Sequence, residues 1–322
     1  MSYILKKIKF WFENSRPYTI PITFLSWLVI FVYSVKQGGN FIYGLIAYVG
    51  VAIVHLATNL SDDYFDCIRL SKDDKFLKSA KECKLKYIKN GSATIKELGV
   101  VILIMLLFAA LCGAFLYFVS GFYVLIFALI GFLIAIFYSF FSSFGWGDIA
   151  VILAYGPLMF EGVYYVMTKN LSLNVLILSL ACAMFVNSIL YAHMLMDYDE
   201  DVISGKTTLC TKLGSKDNAL KGLMIFYILG YIFISLLVFI TGSIYYLLPL
   251  LTLPLVYFLY KSLKMYNKDK TLLPQVKFYY YPLDNWNNIC KTPNAPFFLR
   301  FLFARNISTW FMILTCFAII FS

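Results

Sequence analysis

Two groups of carboxylates stand out in the chain, each directly after an apolar run that could cross a bilayer. The first lies in HLATNLSDDYFDCIRLSKDD (His55–Asp74), which holds Asn59, Asp62, Asp63, Asp66, Asp73 and Asp74. The second lies in HMLMDYDEDVISGKTTL (His193–Leu209), which holds Asp197, Asp199, Glu200 and Asp201. A carboxylate beside hydrocarbon is costly unless something neutralises it. If the helices continue, Asn59, Asp63 and Asp66 share one face at i, i+4 and i+7, and Asp197 and Asp201 share another. Like charges on one face persist where a cation binds between them. All the candidate ligands are oxygens, which suits Mg²⁺ rather than zinc or copper. Mg²⁺ keeps few protein ligands and completes its octahedron with water and phosphate oxygens. The chemistry implied is therefore capture of a diphosphate around two or more Mg²⁺. Arg69, Lys72 and Lys206 stand beside the clusters to take the remaining negative charge. One cluster alone would read equally well as a charged helix end in water; two at matching positions favour a site.

The elements that must position these groups are membrane helices. The chain has 322 residues, 61% hydrophobic and only 14% charged, where a soluble protein carries about 25% charged residues. About 20 apolar residues cross a bilayer core. Nine such runs lie near 18–35, 41–60, 98–119, 122–141, 149–168, 172–194, 219–241, 243–262 and 302–321. The third and fourth form a tight hairpin broken at Ser120-Gly121, and the seventh and eighth another broken at Gly242. The fold class is all-α: a polytopic bundle of nine helices, two four-helix pseudo-repeats in the same orientation plus one. Parallel repeats of this kind place a site at their interface. Residues 1–322 read as a single domain, with cytoplasmic aspartate-bearing loops at 61–97 and 195–218 and a cytoplasmic insertion at 263–301.

Of the 27 Lys and Arg, only Lys36 and Lys169 fall on one side of this arrangement. The positive-inside rule puts the basic side in the cytoplasm, with the N-terminus inside, the C-terminus outside and both acidic clusters at the inner face of the cell membrane. The net charge of +10 is thus explained by orientation and by contact with anionic lipid headgroups, without nucleic acid. The period-three series Lys72, Lys75, Lys78, Lys81 reads as one solvated helix face or, alternatively, as a surface for diphosphate capture. The first residues, MSYILKKIKFWFENSRP, lack a cleavage site after a short apolar core and read as an interfacial amphipathic segment rather than a removable signal. The seven cysteines form no C-x-x-C pair and there are two histidines, so a zinc site or a disulfide framework is not expected.

At the acidic clusters the chain resembles the UbiA family of intramembrane aromatic prenyltransferases. The family's first signature, an Asn followed by spaced aspartates, matches Asn59, Asp63 and Asp66 in NLSDDYFD. Its second, two aspartates four apart and then Gly and Thr-Leu, matches Asp197, Asp201, Gly205, Lys206, Thr208 and Leu209. Arg16-Pro17 before the first span also fits. Gly147-Asp148, Tyr155-Gly156-Pro157 and Gly162-Val163-Tyr164-Tyr165 resemble the dihydroxynaphthoate polyprenyltransferase branch of menaquinone synthesis.

The resemblance implies a Mg²⁺-dependent transfer of a polyprenyl group from polyprenyl diphosphate to an aromatic acceptor, 1,4-dihydroxy-2-naphthoate or another such as 4-hydroxybenzoate. Asp63, Asp66, Asp197 and Asp201 would hold the metal, and Asn59, Arg69, Lys72 and Lys206 the donor. Tyr138, at the cytoplasmic end of the fourth span, would stabilise or orient the allylic cation. Asp148 would orient the fifth span or touch the acceptor. Glu161, read as mid-span, would pair internally or shape the acceptor pocket. A CDP-alcohol phosphotransferase would need D-G-x-x-A-R, which the chain lacks. A secondary transporter would carry its ionisable groups near the midplane, whereas here all but Glu161 of the acidic residues fall at the cytoplasmic face.

Overall fold

The computed structural model describes residues 3–70 and 85–322, and every regular element among them is helical. An amphipathic α1 (Tyr3–Asn14) leads through a bend at Arg16 into α2 (Ile20–Lys36) and α3 (Phe41–Leu70). After a short α4 (Lys86–Lys89) come α5 (Ile95–Ser120), α6 (Tyr123–Ser143), α7 (Gly147–Leu153), α8 (Met159–Thr168) and α9 (Leu173–Met196). Then follow α10 (Tyr198–Ile203), α11 (Leu209–Lys212), α12 (Lys216–Thr241), a 3₁₀ turn at Ile244–Thr252, α13 (Leu253–Lys268), α14 (Trp286–Ile289) and α15 (Ala295–Phe321).

Eight stretches among the described residues are long and apolar enough to cross a membrane, one fewer than expected. The remaining one is α6, whose apolar run Tyr123–Tyr138 is shorter than the others. Both expected hairpins are present. α5 stops at Gly121 (φ 99°) and α12 at Gly242 (φ 72°), left-handed positions that glycine reaches without a Cβ clash. α5 starts on a capping box in which Thr94 accepts from the Glu97 amide and Glu97 accepts from the Thr94 amide.

The bundle is organised around α9, whose side chains are the most enclosed. Phe185 stacks on Phe311 of α15 at 3.6 Å between ring centroids and meets Tyr227 of α12 edge-on at 5.2 Å. The outer helices do the opposite: α5 and α6 leave Leu107, Phe108, Phe118 and Leu129 exposed, as a helix facing lipid must.

The fifth expected span is broken. Between α7 and α8 the turn Ala154–Leu158 leaves regular geometry at Gly156 (φ −105°, ψ −111°), followed by Pro157. Pro157 cannot donate to the preceding turn, and Gly156 lets the backbone press onto α9. A Cβ there would lie 2.9 Å from the Ala183 Cβ and 3.3 Å from the Ser179 carbonyl oxygen. Gly156→Leu is expected to destabilise the protein by about 1–3 kcal/mol, read as a lower unfolding temperature in detergent; an unchanged temperature contradicts this packing.

Both expected loops contain helix among their described residues. The first aspartates ride on α3, which runs unbroken to Leu70, because its apolar face continues past the point where its other faces become polar. Residues 195–218 contain α10 and α11. In 263–301, the buried Arg300 donates to the Ser262, Leu272 and Pro296 carbonyls and lies over the Tyr266 ring. This ties the segment down without an acidic partner for Arg300 among the described contacts. Lys72, Asp73, Asp74, the remainder of the period-three lysine series and Cys83 lie outside the described residues, as does the side chain of Arg69.

Candidate active site

A cavity of about 1730 Å³ opens at one end of the bundle, larger than a drug-sized pocket. Its depth is apolar, walled by α3, α5, α6 and the broken α7–α8 span. Its mouth carries the charges: Arg16, Asp62, Asp66, Asp148 and Lys206 all line it. The α3 carboxylates therefore reach this space from one side, and the turn after α10 reaches it from the other through Lys206. Asp197 and Asp201 are not among the lining residues and stand behind His193 and Lys206, which are.

The first cluster differs from its expected face. Asn59, Asp62 and Asp66 line the cavity, whereas Asp63 receives hydrogen bonds from Arg16 and, at 3.0 Å, from Tyr87 Oη. At about 100° per residue, Asp62 and Asp66 fall on one side of the Asn59 direction and Asp63 about 40° to the other, toward α1 and α4. Asp63 is 1% exposed. Burial and then the Asp63 charge push the Tyr87 phenol well above its ordinary value, so it remains a donor. Arg16 also lies 3.9 Å from Asp62. Its left-handed backbone (φ 60°), directly before Pro17, turns the chain between α1 and α2 where that guanidinium can reach α3. Arg16 is thus a site residue that spacing within α3 did not reveal; its only signal was an arginine before the proline that opens the first span.

The second cluster is shaped by a Schellman turn. Gly205 (φ 69°) ends α10, the Lys206 amide returns to the Asp201 carbonyl at 2.8 Å, and the Gly205 amide bonds Val202. This brings Lys206 Nζ back to 3.3 Å from Asp201 Oδ1. Thr208 then caps α11 by accepting from the Thr211 amide. The spacing D-x-x-x-G-K-x-T thus has a local cause: one turn closes an acid-bearing helix and the next opens another. Asp201 is buried, and its Oδ2 has no hydrogen-bond partner. Burial raises its pKa, Lys206 opposes this, and Asp197 adds to it. Asp197 meets His193 Nδ1 at 3.0 Å. Asp199 turns away to Lys216 and Lys270.

Tyr138 and Asp148 line the cavity. Asp148, in the first turn of α7, accepts from Asn187 Nδ2 of α9 at 3.0 Å. Glu161 is placed differently from the expectation. It lies in α8 beyond the break and accepts from the Ser172 amide at 3.3 Å, in the turn before α9. Its contact with the turn that joins α8 to α9 puts this carboxylate toward that end of the span rather than at its middle, and it is not among the cavity-lining residues.

The cavity thus has an acid-bearing helix on one side of its mouth and the lysine-bearing turn after α10 on the other. The UbiA prenyltransferase family matches residues 20–287, and the chain belongs to it. It is a multi-pass membrane prenyltransferase. It is 26% identical over 230 residues to the 1,4-dihydroxy-2-naphthoate octaprenyltransferase of Haemophilus influenzae, covering 66% of this chain and 71% of that protein. The fold is similar to a solved digeranylgeranylglyceryl phosphate synthase (TM-score 0.62, 16% identity, 98% of this chain and 100% of that one). It is also similar to a UbiA homolog from Archaeoglobus fulgidus bound to GPP and Mg²⁺ (TM-score 0.55, 12% identity, 94% and 99%).

Proposed function

We propose that this prenyltransferase moves a polyprenyl group from polyprenyl diphosphate onto 1,4-dihydroxy-2-naphthoate, the prenylation step of menaquinone synthesis. The observation that carries the donor half is the cavity: carboxylates of α3 at one side of its mouth, Lys206 with Asp201 directly behind it at the other, and apolar walls below. The acceptor half is supported by the naphthoate-specific relative and by the stretch from Gly147 to Tyr165.

The residues present fit Mg²⁺. The donors are all oxygens, and the buried Asp201 Oδ2 is left without a partner. Mg²⁺ takes few protein ligands and completes its shell with phosphate and water. Asp62, Asp63 and Asp66 from α3 and Asp197 and Asp201 around the start of α10 would hold it, Asp63 being shared with Arg16. When bound, Mg²⁺ supplies charge stabilisation for the departing diphosphate. Arg16 and Lys206 add fixed cations at the same end, and Asn59 orients the α3 side through its bonds to the Ser15 carbonyl and Thr19 Oγ1. Tyr138 offers its ring to an allylic cation, and the apolar walls keep water from it. The tail would lie along the apolar walls, where each buried CH₂ contributes about 0.8 kcal/mol. By the charge division the site faces the cytoplasm, at the inner cell membrane.

The test is an acceptor panel with one purified sample: dihydroxynaphthoate, 4-hydroxybenzoate and other quinone precursors, with polyprenyl diphosphate and Mg²⁺. Dihydroxynaphthoate should give the highest kcat/KM. Preferred turnover of 4-hydroxybenzoate would replace the acceptor, and solute flux without diphosphate release would replace the enzyme by a transporter.

A further inference from the structure

One turn below Asn59, on the same face of α3, His55 points into a ring of hydroxyls on the cavity wall. Its Nε2 lies 3.1 Å from Thr19 Oγ1. Its Nδ1 lies 2.5 Å from Thr23 Oγ1 and 3.2 Å from Tyr155 Oη, and those two oxygens are 3.2 Å apart. An imidazole surrounded by apolar helices needs these partners, but their directions say more than that.

The directions follow from what is already committed. Thr19 donates its one hydroxyl proton to the Arg16 carbonyl at 2.8 Å, and accepts from Asn59 Nδ2. Toward His55 it can therefore only accept, so His55 carries its proton on Nε2. Nδ1 is then an acceptor with one in-plane lone pair. Thr23 is the closer donor to it, which leaves the Tyr155 hydroxyl to donate to Thr23. The chain of donation runs Tyr155 to Thr23 to His55 to Thr19 to the Arg16 carbonyl. It begins at Tyr155, which is among the residues lining the cavity, and ends at the helix turn that positions Arg16.

We propose that Tyr155 and His55 are the two ends of a proton relay that takes the hydroxyl proton of the aromatic acceptor while its ring is prenylated. This rests on the aromatic-acceptor reading above. Tyr155, whose own proton is directed at Thr23, accepts a hydrogen bond from the acceptor's hydroxyl. As the ring carbon forms its bond to the allylic carbon, the donor's C–O bond breaks and its electron pair leaves with the diphosphate. The acceptor's hydroxyl proton passes to Tyr155, that of Tyr155 to Thr23, and that of Thr23 to His55 Nδ1. The ring becomes a neutral ketone and His55 an imidazolium. When the ring regains aromaticity by losing CO₂ from its carboxylate, the electron pair of the broken C–C bond passes through the ring to the oxygen, and the relay runs back and reprotonates it. Tyr155 is the catalytic residue in this scheme; Thr23 and His55 act through it.

The test uses full-length protein in lipid nanodiscs, with polyprenyl diphosphate, Mg²⁺ and dihydroxynaphthoate. Tyr155→Phe removes one oxygen, and His55→Gln keeps a donor and an acceptor but cannot hold the extra proton. Binding of the diphosphate donor, followed by its thermal shift, reports folding of each variant. The expected result is unchanged donor binding, acceptor KM within a few-fold for His55→Gln, and kcat lower by on the order of 100-fold in both variants. The solvent isotope effect of the wild type should change in both. Glutamine restoring wild-type kcat at position 55, or Phe at 155 doing so, overturns the relay while leaving the acceptor reading intact. A wild type that prenylates no hydroxyarene overturns both.

Discussion

Asp66→Asn and Asp201→Asn should each lower diphosphate release from polyprenyl diphosphate by on the order of 10³-fold. The two residues sit on different helices, yet each is expected to be nearly as damaging as both together. A divalent ion stabilises charge on a leaving group by several kcal/mol, and each 1.36 kcal/mol is a factor of ten. Asparagine keeps the size and one oxygen but removes the charge that holds the ion. Both side chains are buried, 4% and 6% exposed, so the remaining amide has little water to compensate it. Asp201 is the sharper test, because its Oδ2 has no protein partner to lose. Asp201→Asn should therefore fold as well as the wild type while losing turnover. Retained turnover in either variant, measured as diphosphate release at saturating Mg²⁺, contradicts the assignment.

Arg16→Met should destabilise the protein by about 3–5 kcal/mol in the absence of metal and donor, the usual result of removing one partner from a buried ion pair. Asp63 is almost wholly enclosed, and without the guanidinium it would lose the charged partner that Tyr87 Oη, a neutral donor, does not replace. The carboxylate Asp62 also lies 3.9 Å from the same guanidinium, so the loss removes a cation that faces two acids of α3. Mg²⁺ with a diphosphate donor should return part of that stability, since it supplies positive charge at the same place. Turnover should stay low even then, because the arginine also lines the mouth where the diphosphate sits. Thermal unfolding of wild type and variant, each with and without Mg²⁺ and donor, measures both parts. An unfolding temperature equal to the wild type's in the metal-free state contradicts the pairing.

Much of this was legible in the chain, and the exceptions share a cause. Apolar runs and left-handed glycines are local signals, so the hairpins at Gly121 and Gly242 could be read directly. So could the Gly205–Thr208 turn, where glycine closes one helix and threonine opens the next. The break at Gly156-Pro157 lay inside a run that still looked long enough to span; Pro157 is its local signal, and the close approach of Ala183 on α9 is the part that spacing does not show. The depth of Glu161 depends likewise on a contact outside its own helix, with the Ser172 amide. Asp63 was assigned to the cavity because i, i+4 spacing is a good approximation to a face, but Arg16 and Tyr87, far away in sequence, drew it to the flank and left Asp62 at the wall. His55 read as one of only two histidines with no ligand set; its hydroxyl partners come from α2 and the broken span.

The central claim is that the two acidic clusters hold one metal–diphosphate unit between them. Affinity for a non-hydrolysable thiolodiphosphate analogue of the donor, measured in Mg²⁺ for the wild type, Asp66→Asn, Asp201→Asn and the double variant, tests it most directly. One shared unit predicts strong coupling: each single change weakens binding sharply, and the second adds little to the first. If the two losses simply add, or if either substitution leaves the affinity and its Mg²⁺ dependence untouched, the clusters act separately and the account is wrong.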